Sequence, residues 1–209
     1  MKDKIIAVFG GSFNPPTVAH IDLAKQILNN IENVEKVVFV PVSTKYNKSG
    51  LAQDKDRFNM LNTICKNEQK LEVSSIELDS NRQLYTIETL EKLQEQYPDY
   101  DIYFVLGTDN LKEIETWHTS GCLLQNFKVI VLERDNDVME EIIESNNFLK
   151  QYKNSFIKLE NIQKIDLSAS YIRELIDNKK SITGKVPKEI EETVIKTYKS
   201  MRRENSTEM

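Results

Sequence analysis

The feature that most constrains the fold is a glycine turn that joins an apolar run to an amphipathic segment. Residues 5–9, Ile-Ile-Ala-Val-Phe, are continuously apolar, which indicates a buried strand. From residue 21 to residue 28 apolar side chains recur at helical spacing. The segment 10–20, Gly-Gly-Ser-Phe-Asn-Pro-Pro-Thr-Val-Ala-His, therefore leads from a strand into the N-terminus of a helix. Such a junction directs unpaired backbone N–H groups and the positive end of the helix dipole at one point, which suits a phosphate.

Two polar side chains are placed to act at that point. Thr17 and His20 lie three residues apart at the start of the predicted helix, so both face the same site. The segment matches neither common phosphate-loop pattern, G-x-x-x-x-G-K-[ST] or G-x-G-x-x-G. The alternative is an ordinary strand–turn–helix with a solvated histidine. The occurrence of Gly-Gly, Pro-Pro and His in one register favours a binding site.

Strand and helix patterns alternate along the chain. The predicted strands are 4–9, 36–41, 71–78, 102–106, 127–132 and, more weakly, 155–159. The predicted helices are 18–30, 54–68, 84–96, 110–115, 137–149, 169–177 and 187–200. Apolar strands separated by helices favour a parallel sheet that is covered on both faces. We therefore predict an α/β, Rossmann-like, doubly wound fold, with a mainly parallel five- to six-stranded sheet, helices on both faces and a ligand beyond the C-terminal strand ends.

Length and charge limit the classes of function. A chain of 209 residues can bury a full core. We predict a single domain over residues 1–200, which includes a phosphate-binding helical segment at 166–200, and a frayed tail at 201–209. The net charge of −5 argues against general nucleic-acid binding, which needs a basic face.

The sequence also predicts a location and a redox state. No apolar run approaches the length of a membrane span, and the chain enters its first strand without a signal peptide, so we expect a cytoplasmic protein without a membrane partner. Cys65 and Cys122 lack metal-ligand spacing. We expect both thiols to be reduced and assign no residue as a metal ligand.

A second segment, 167–173, has the character of another phosphate-binding helix start. It reads Leu-Ser-Ala-Ser-Tyr-Ile-Arg, with Ser168 as the predicted N-cap. Two hydroxyls and an arginine then lie at one helix N-terminus, and arginine forms charge-assisted hydrogen bonds with phosphate oxygens. A capped helix that carries an arginine is common, so this segment alone leaves a purely structural role open.

Together the two segments resemble the fingerprints of the nucleotidyltransferase superfamily, G-x-F-D-P-x-H/T-x-G-H and I-S-S-T-x-I-R. The first match runs through Gly11, Phe13, Pro15, Thr17 and His20. The second runs through Ser168, Ser170, Ile172 and Arg173. Three positions depart from the patterns: Asn14 replaces Asp, Ala19 replaces Gly and Ala169 replaces Ser.

A third region is similar to segments of bacterial nicotinate-mononucleotide adenylyltransferases, S-Y-T-x-D-T-L and G-x-D-S…W-H. The matching residues are Tyr85, Thr86, Thr89, Leu90, Gly107, Asp109, Trp117 and His118, with Glu88 in place of Asp and Asn110 in place of Ser. Arg134, Val186-Pro187 and Arg57 also fit, and the likeness extends over residues 4–199. The weakest part is 41–50, where Lys45 or Lys48 would supply the usual positive charge.

This resemblance implies transfer of the adenylyl group of ATP to nicotinate mononucleotide, with Mg²⁺ accompanying ATP. The implied catalytic residues are His20, Thr17 and Arg173. The implied ATP and phosphate contacts are Gly10, Gly11, Ser12, Phe13, Ser168, Ser170 and Ile172. The implied mononucleotide contacts are Lys45, Tyr85, Thr86, Gly107, Asp109, Trp117 and Arg134. The implied partners are ATP and nicotinate mononucleotide, and a homo-oligomer is compatible with the sequence.

Several alternatives stay open at the level of the sequence. The acceptor could be nicotinamide mononucleotide or phosphopantetheine, since Thr17 is common in the phosphopantetheine enzymes. The departures from the fingerprints also allow a nucleotide-binding protein with degraded catalysis. Among single residues, Trp117 is either a stacking platform or core, Asp109 is a helix cap, a substrate contact or both, and His118 lies outside the first contacts or on the surface.

Overall fold

The computed structural model describes residues 2–45, 50–134, 136–160, 162–163 and 165–207, with side chains as far as Met201. The strands are β1 (Ile5–Gly11), β2 (Val34–Pro41), β3 (Leu71–Val73), β4 (Asp101–Gly107), β5 (Lys128–Leu132) and β6 (Phe156–Lys158). The helices are α1 (Val18–Asn30), α2 (Asp54–Cys65), α3 (Thr86–Gln96), α4 (Thr108–Leu111), α5 (Ser120–Asn126), α6 (Met139–Ser145), α7 (Asn147–Gln151), α8 (Ala169–Asp177) and α9 (Glu191–Thr207). Short 3₁₀ helices span Ile114–Thr116, Lys153–Ser155 and Lys188–Ile190.

The strands form a six-stranded sheet in the order β3-β2-β1-β4-β5-β6. β4 pairs in parallel with β1 and β5, and β5 pairs in parallel with β6. The chain builds outward from β1 in one direction and from β4 in the other, so the sheet is doubly wound. Residues 5–9 and 102–107 are buried throughout, as expected for strands covered on both faces. The predicted fold class is confirmed.

Three predicted elements differ from the structure, and α5 was not predicted. The helix predicted at 110–115 is α4, which ends at Leu111, followed by the 3₁₀ helix Ile114–Thr116. The other two differ for local reasons. The strand predicted at 71–78 ends at Val73, because the Ser74 and Ser75 hydroxyls bond to Ile76 N–H and the Asp79 carboxylate and turn the chain. The helix predicted at 137–149 is two helices, α6 and α7. The break lies at Asn146, whose side chain accepts hydrogen bonds from the Phe148 and Leu149 N–H groups and so caps α7.

Packing divides the chain into two compact units. The first unit comprises Met1–Gly10, Gln26–Val38 and Leu84–Ile162, and the second comprises Gly11–Lys25, Phe39–Gln83 and Gln163–Met209. The single domain over residues 1–200 stays a prediction. The last helix, α9, continues to Thr207, and fraying of the tail at 201–209 also stays a prediction. Within the described ranges, no helix is long and apolar enough to cross a bilayer.

The core of the second unit includes one face of the C-terminal segment. Ile190, Val194 and Tyr198 follow each other at intervals of four residues and are at most 5% exposed. In this unit α9 packs against α2 and α8. The hydroxyl of Tyr198 in α9 is thereby brought into the interior, 2.6 Å from Asn14 Oδ1.

Candidate active site

The glycine turn of the second unit, residues 11–17, packs tightly around the ring of Phe13. A Cβ atom at Gly11 would lie 3.0 Å from Phe13 Cζ, so a larger residue at this position would crowd the ring. Phe13 has φ +44°, in the left-handed region that residues with side chains seldom adopt. Its ring meets the rings of His20 and Phe39 edge to face, with centroids 5.2 and 5.4 Å away. The preceding Gly10, also predicted as a phosphate contact, belongs to β1 in the first unit.

The imidazole of His20 is held at one nitrogen by Thr17. The Thr17 backbone N–H donates to His20 Nδ1 at 3.0 Å, and Thr17 Oγ1 lies 2.8 Å from the same atom. Since a backbone N–H can only donate, we assign the proton of the neutral ring to Nε2. Thr17 is fully buried. The structure therefore brings these two residues together as predicted, and Nε2 is the nitrogen that carries the ring proton.

The backbone amides at the start of α1 are already used. Thr17 N–H bonds to His20, Val18 N–H donates to the Lys185 carbonyl at 3.1 Å, and His20 N–H donates to the Thr17 carbonyl at 3.2 Å. The expectation of unpaired amides is wrong for these three, because a side chain, a neighbouring loop and the first helical turn accept their hydrogens. Any phosphate in this region depends more on side chains than the sequence indicated.

The second predicted segment adjoins the glycine turn within the same unit. Ser168 caps α8 as predicted, since its Oγ accepts the Tyr171 N–H at 3.1 Å. Arg173 Nη2 donates to Ser170 Oγ at 3.0 Å, and Arg173 Nη1 donates to the Asn14 carbonyl at 2.7 Å. A guanidinium has five N–H donors, so these two bonds orient Arg173 and leave it further donors for a phosphate.

Two other predicted contacts of the second unit have different surroundings. The Ile172 side chain is fully buried, and its N–H donates to the Ser168 carbonyl at 3.3 Å. Lys45 is exposed, and its ammonium donates to the Ser80 carbonyl. Its alternative, Lys48, lies outside the described residues.

Arg57 has a larger part in the second unit than the sequence showed. The side chain is 0% exposed, and its guanidinium donates to the carbonyls of Ser12, Val42 and Ala52 at 2.6–2.9 Å and to Asp54 Oδ1 at 2.5 Å. Burial lowers the pKa of Arg57 and the Asp54 carboxylate opposes that shift. Burial acts to raise the pKa of Asp54, but bonds from Thr44 and Ser43 and the Arg57 charge outweigh it and lower that pKa. Arg57 thus holds the main chain of the glycine turn through its hydrogen bond to the Ser12 carbonyl.

Within the first unit, three of the six predicted mononucleotide residues are exposed: Tyr85, Asp109 and Arg134. Tyr85 precedes α3, and its N–H donates to Glu88 Oε2 at 2.8 Å. The Tyr85 ring stacks on the ring of His118 with centroids 3.9 Å apart and planes 21° from parallel. Thr86, half-buried, is the first residue of α3. His118, expected on the surface, is exposed and forms half of an aromatic pair.

Trp117 is half-buried, between the two roles that the sequence left open. Its ring meets Phe104 of β4 edge to face, with centroids 6.2 Å apart. The contact anchors one edge of the indole on the sheet. The partial exposure leaves room for a ligand to contact the ring.

The ends of β4 and β5 in the first unit hold a charged pair. Arg134 Nη1 lies 3.4 Å from Asp109 Oδ2, and the Arg134 N–H donates to Thr108 Oγ1 at 3.0 Å. A Cβ atom at Gly107 would come within 2.3 Å of Asp109 Oδ1, so the carboxylate occupies the space that glycine leaves. Asp109 does not cap the helix as expected. Gly107 occupies the cap position, and Asp109 lies in the first turn of α4.

A model of the cytidylyltransferase-like family matches residues 8–200. The chain belongs to the cytidylyltransferase-like family. The superfamily resemblance seen in the two motifs is thereby confirmed.

Relatives of this family member have similar lengths. A Fusobacterium nucleatum protein named "probable nicotinate-nucleotide adenylyltransferase" is 36% identical over 195 residues, which cover 92% of this chain and 98% of the relative. A protein of the same name from Caldicellulosiruptor saccharolyticus is 33% identical and is matched over 96% of its length. The nicotinic acid mononucleotide adenylyltransferase of Plasmodium falciparum, solved with NaAD, superposes with a TM-score of 0.73 at 24% identity, covering 92% of this chain and 95% of that chain. That likeness shows the shared fold.

Proposed function

We propose that this cytidylyltransferase-like protein transfers the adenylyl group of ATP to nicotinate mononucleotide and releases deamido-NAD and pyrophosphate. The observation that carries the proposal is the 2.7 Å bond from Arg173 to the Asn14 carbonyl. It joins the two phosphate-binding segments, which lie at opposite ends of the sequence. The names of the relatives support the choice of acceptor.

The reaction is a direct substitution at phosphorus. A 5′-phosphate oxygen of the mononucleotide attacks the α-phosphate of ATP, and the bond to the β-phosphate bridging oxygen breaks. The leaving pyrophosphate takes the electron pair, so no covalent enzyme intermediate is required. Such chemistry depends on alignment and on stabilisation of the charge that builds up on phosphorus oxygens.

His20 is the group proposed to stabilise that charge. With Nδ1 held by Thr17, the ring presents Nε2–H as a donor to an α-phosphate oxygen. Thr17 fixes the ring angle from a fully buried position. A donor whose direction is set in advance loses little free energy to reorganisation during the reaction.

Arg173 and the α8 hydroxyls are proposed to hold the departing pyrophosphate. Arg173 supplies positive charge near the glycine turn, and Ser168 and Ser170 supply exposed hydroxyls at the helix start. Gly11, Ser12 and Phe13 would shape the path of the nucleotide. Ile172 would contribute through the packing of α8.

Residues of the first unit are proposed to bind the mononucleotide. The pyridine ring would stack on Trp117, which by analogy with base stacking contributes about 1–3 kcal/mol. Asp109 and Arg134 would contact the ribose and phosphate, with Tyr85, Thr86 and Gly107 bounding the site. Lys45 of the second unit is retained as a further candidate contact.

Mg²⁺ is proposed to enter with ATP. No group of three or more His, Cys, Asp or Glu side chains among the described residues is arranged to hold a metal ion. The polar groups near the glycine turn are hydroxyl, imidazole and guanidinium donors, which fit anions. Phosphate oxygens would then hold the ion, as Mg²⁺ commonly takes few protein ligands, and it would neutralise part of the triphosphate charge. The cytoplasmic location, the lack of nucleic-acid binding and a homo-oligomeric state stay predictions.

Turnover with three acceptors in parallel tests the proposal. Purified protein, ATP and Mg²⁺ are mixed with nicotinate mononucleotide, nicotinamide mononucleotide or phosphopantetheine, and pyrophosphate release is followed. We expect the highest kcat/KM with nicotinate mononucleotide. A preference for either other acceptor would reassign the substrate, and ATP binding without turnover of any acceptor would favour a non-catalytic nucleotide-binding protein.

A further inference from the structure

The side chain of Asn14 forms three hydrogen bonds within the second unit. It is only 5% exposed. Its Oδ1 accepts from the Ala52 N–H at 2.9 Å and from the Tyr198 hydroxyl at 2.6 Å, and its Nδ2 donates to the Gly50 carbonyl at 2.8 Å. Because a backbone N–H can only donate and a carbonyl can only accept, these partners fix the orientation of the amide.

These contacts account for an asparagine where the fingerprint has aspartate. A carboxylate at this position could still accept from Ala52 and Tyr198. It would have no hydrogen to donate to Gly50 and would place an oxygen 2.8 Å from that carbonyl. The asparagine at position 14 therefore matches its surroundings.

The main chain of the same residue orients Arg173. The Asn14 carbonyl accepts from Arg173 Nη1 at 2.7 Å, and the guanidinium also donates to Ser170. The Ala52 residue that bonds to the Asn14 side chain also accepts from buried Arg57, which in turn donates to the Ser12 carbonyl. Asn14 thus links the glycine turn, the 50–52 segment and the second phosphate motif.

Tyr198 closes this network from α9. It is 5% exposed, and burial raises the pKa of its phenol, which favours the protonated hydroxyl that donates to Asn14 Oδ1. Its bond to Asn14 ties the C-terminal helix to the glycine turn that precedes α1 and His20.

We propose that Tyr198 is a positioning residue for ATP, which acts by holding the Asn14 side chain and thereby the main chain that orients Arg173. The inference rests on the proposed function in one respect, the assignment of ATP to these phosphate motifs. Tyr198 itself touches no substrate in this account.

Tyr198→Phe tests this positioning role, because it removes one oxygen atom and keeps the ring in the core. We expect the Kd for α,β-methylene ATP with Mg²⁺ and the KM for ATP to rise about fivefold, the loss of one net hydrogen bond. The KM for nicotinate mononucleotide should stay unchanged. Tyr103→Phe is the matched control, because Tyr103 is also buried but lies in β4 of the first unit, and it should leave ATP binding as in the wild type.

A double-mutant cycle shows whether Tyr198 acts through Asn14. If it does, Asn14→Ala combined with Tyr198→Phe should weaken ATP-analogue binding no further than Asn14→Ala alone. Additive losses, or an unchanged Kd in Tyr198→Phe, would overturn the proposal. A loss of melting temperature in Tyr198→Phe with ATP affinity intact would likewise reduce Tyr198 to a packing residue.

The analogue experiment also separates this inference from the proposed function. Analogue binding needs no acceptor, so a wild-type protein that binds the analogue but does not use nicotinate mononucleotide would refute the acceptor assignment alone. The Kd of Tyr198→Phe for the analogue, compared with that of the wild type, would still show whether Tyr198 positions the ATP site through Asn14.

Discussion

The two units present their predicted substrate residues in different ways. In the second unit the polar groups that support the glycine turn are buried and tied to main chain, with Thr17 and Arg57 at 0% and Asn14 at 5% exposure, although Ser168 and Ser170 at the start of α8 are exposed. In the first unit Tyr85 is 47% exposed, and the Asp109 and Arg134 side chains are 52% and 54% exposed. The glycine turn is therefore held in advance by hydrogen bonds to main chain, whereas the mononucleotide residues include two exposed side-chain pairs, Tyr85 with His118 and Asp109 with Arg134. Changes in the second unit should alter stability, kcat and the KM for ATP, and changes in the first should alter the KM for nicotinate mononucleotide.

The largest expected effect is on the buried support of the glycine turn. Arg57→Met leaves three carbonyls without this donor and the Asp54 carboxylate without its guanidinium partner, so the free energy of unfolding should fall by about 3–5 kcal/mol. Denaturant unfolding measures this change. The exposed Arg82→Met, also in the second unit, is the control and should change stability by less than about 0.5 kcal/mol. Equal losses of unfolding free energy in the two variants would contradict the claim that the buried Arg57 guanidinium holds the glycine turn in place.

His20→Ala should lower kcat by about 100-fold, the typical cost of losing one preorganised donor to the transition state. The melting temperature should change little, since His20 is only half-buried. Steady-state kinetics with saturating ATP and mononucleotide give the result. Turnover like that of the wild type would remove His20 from the mechanism.

Trp117→Ala should raise the KM for nicotinate mononucleotide about tenfold, because the indole no longer stacks on the pyridine ring. The KM for ATP should be unaffected. Trp117→Phe keeps an aromatic face, so its KM for nicotinate mononucleotide should lie between those of Trp117→Ala and the wild type. If the KM for ATP rises instead, the assignment of the two substrates to different units is wrong.

Protonation of the Asp54 carboxylate should make the second unit less stable at acid pH. Its pKa is lowered on folding from the ordinary value of 3.8, so the unfolded state binds its proton more tightly than the folded state. The stability it contributes is present above about pH 4 and is lost as the pH falls through the folded pKa. In Asp54→Asn the free energy of unfolding should therefore fall less steeply as the pH is lowered below about 4. An unchanged pH dependence would show that other carboxylates control the acid sensitivity.

The smallest expected effect concerns the two thiols, one in each unit. Burial, followed by Glu72 and Glu68, raises the pKa of Cys65 to about 12, so this second-unit thiol holds almost no thiolate at neutral pH. Cys122 in the first unit is exposed. An alkylating reagent should label Cys122 alone in the native protein, and Cys122→Ser should abolish native labelling. Early labelling of Cys65 would show that the second unit opens more readily than its contacts imply.

The sequence predicted what depends on local pattern. The α1 and α8 boundaries, the Ser168 cap and the pairing of Thr17 with His20 all follow from spacing within a few residues. The Asn146 cap that divides α6 from α7 was also readable, since asparagine is a strong N-cap residue.

Contacts between distant segments could not be predicted. The stripe of Ile190, Val194 and Tyr198 indicates a buried helix face, yet nothing in it identifies Asn14 as the partner of the tyrosine hydroxyl. Arg57 reads as an ordinary helix residue paired with Asp54, because its carbonyl partners are main-chain atoms that any sequence supplies. The pairing of Tyr85 with His118 likewise depends on tertiary packing.

Label transfer tests the central claim most directly. The wild-type protein is given Mg²⁺, nicotinate mononucleotide and ATP labelled at either the α- or the γ-phosphate, and the products are separated. Adenylyl transfer predicts that the α label appears entirely in deamido-NAD and the γ label entirely in pyrophosphate. Release of the γ label as free phosphate, or its appearance in the nucleotide product, would contradict the account.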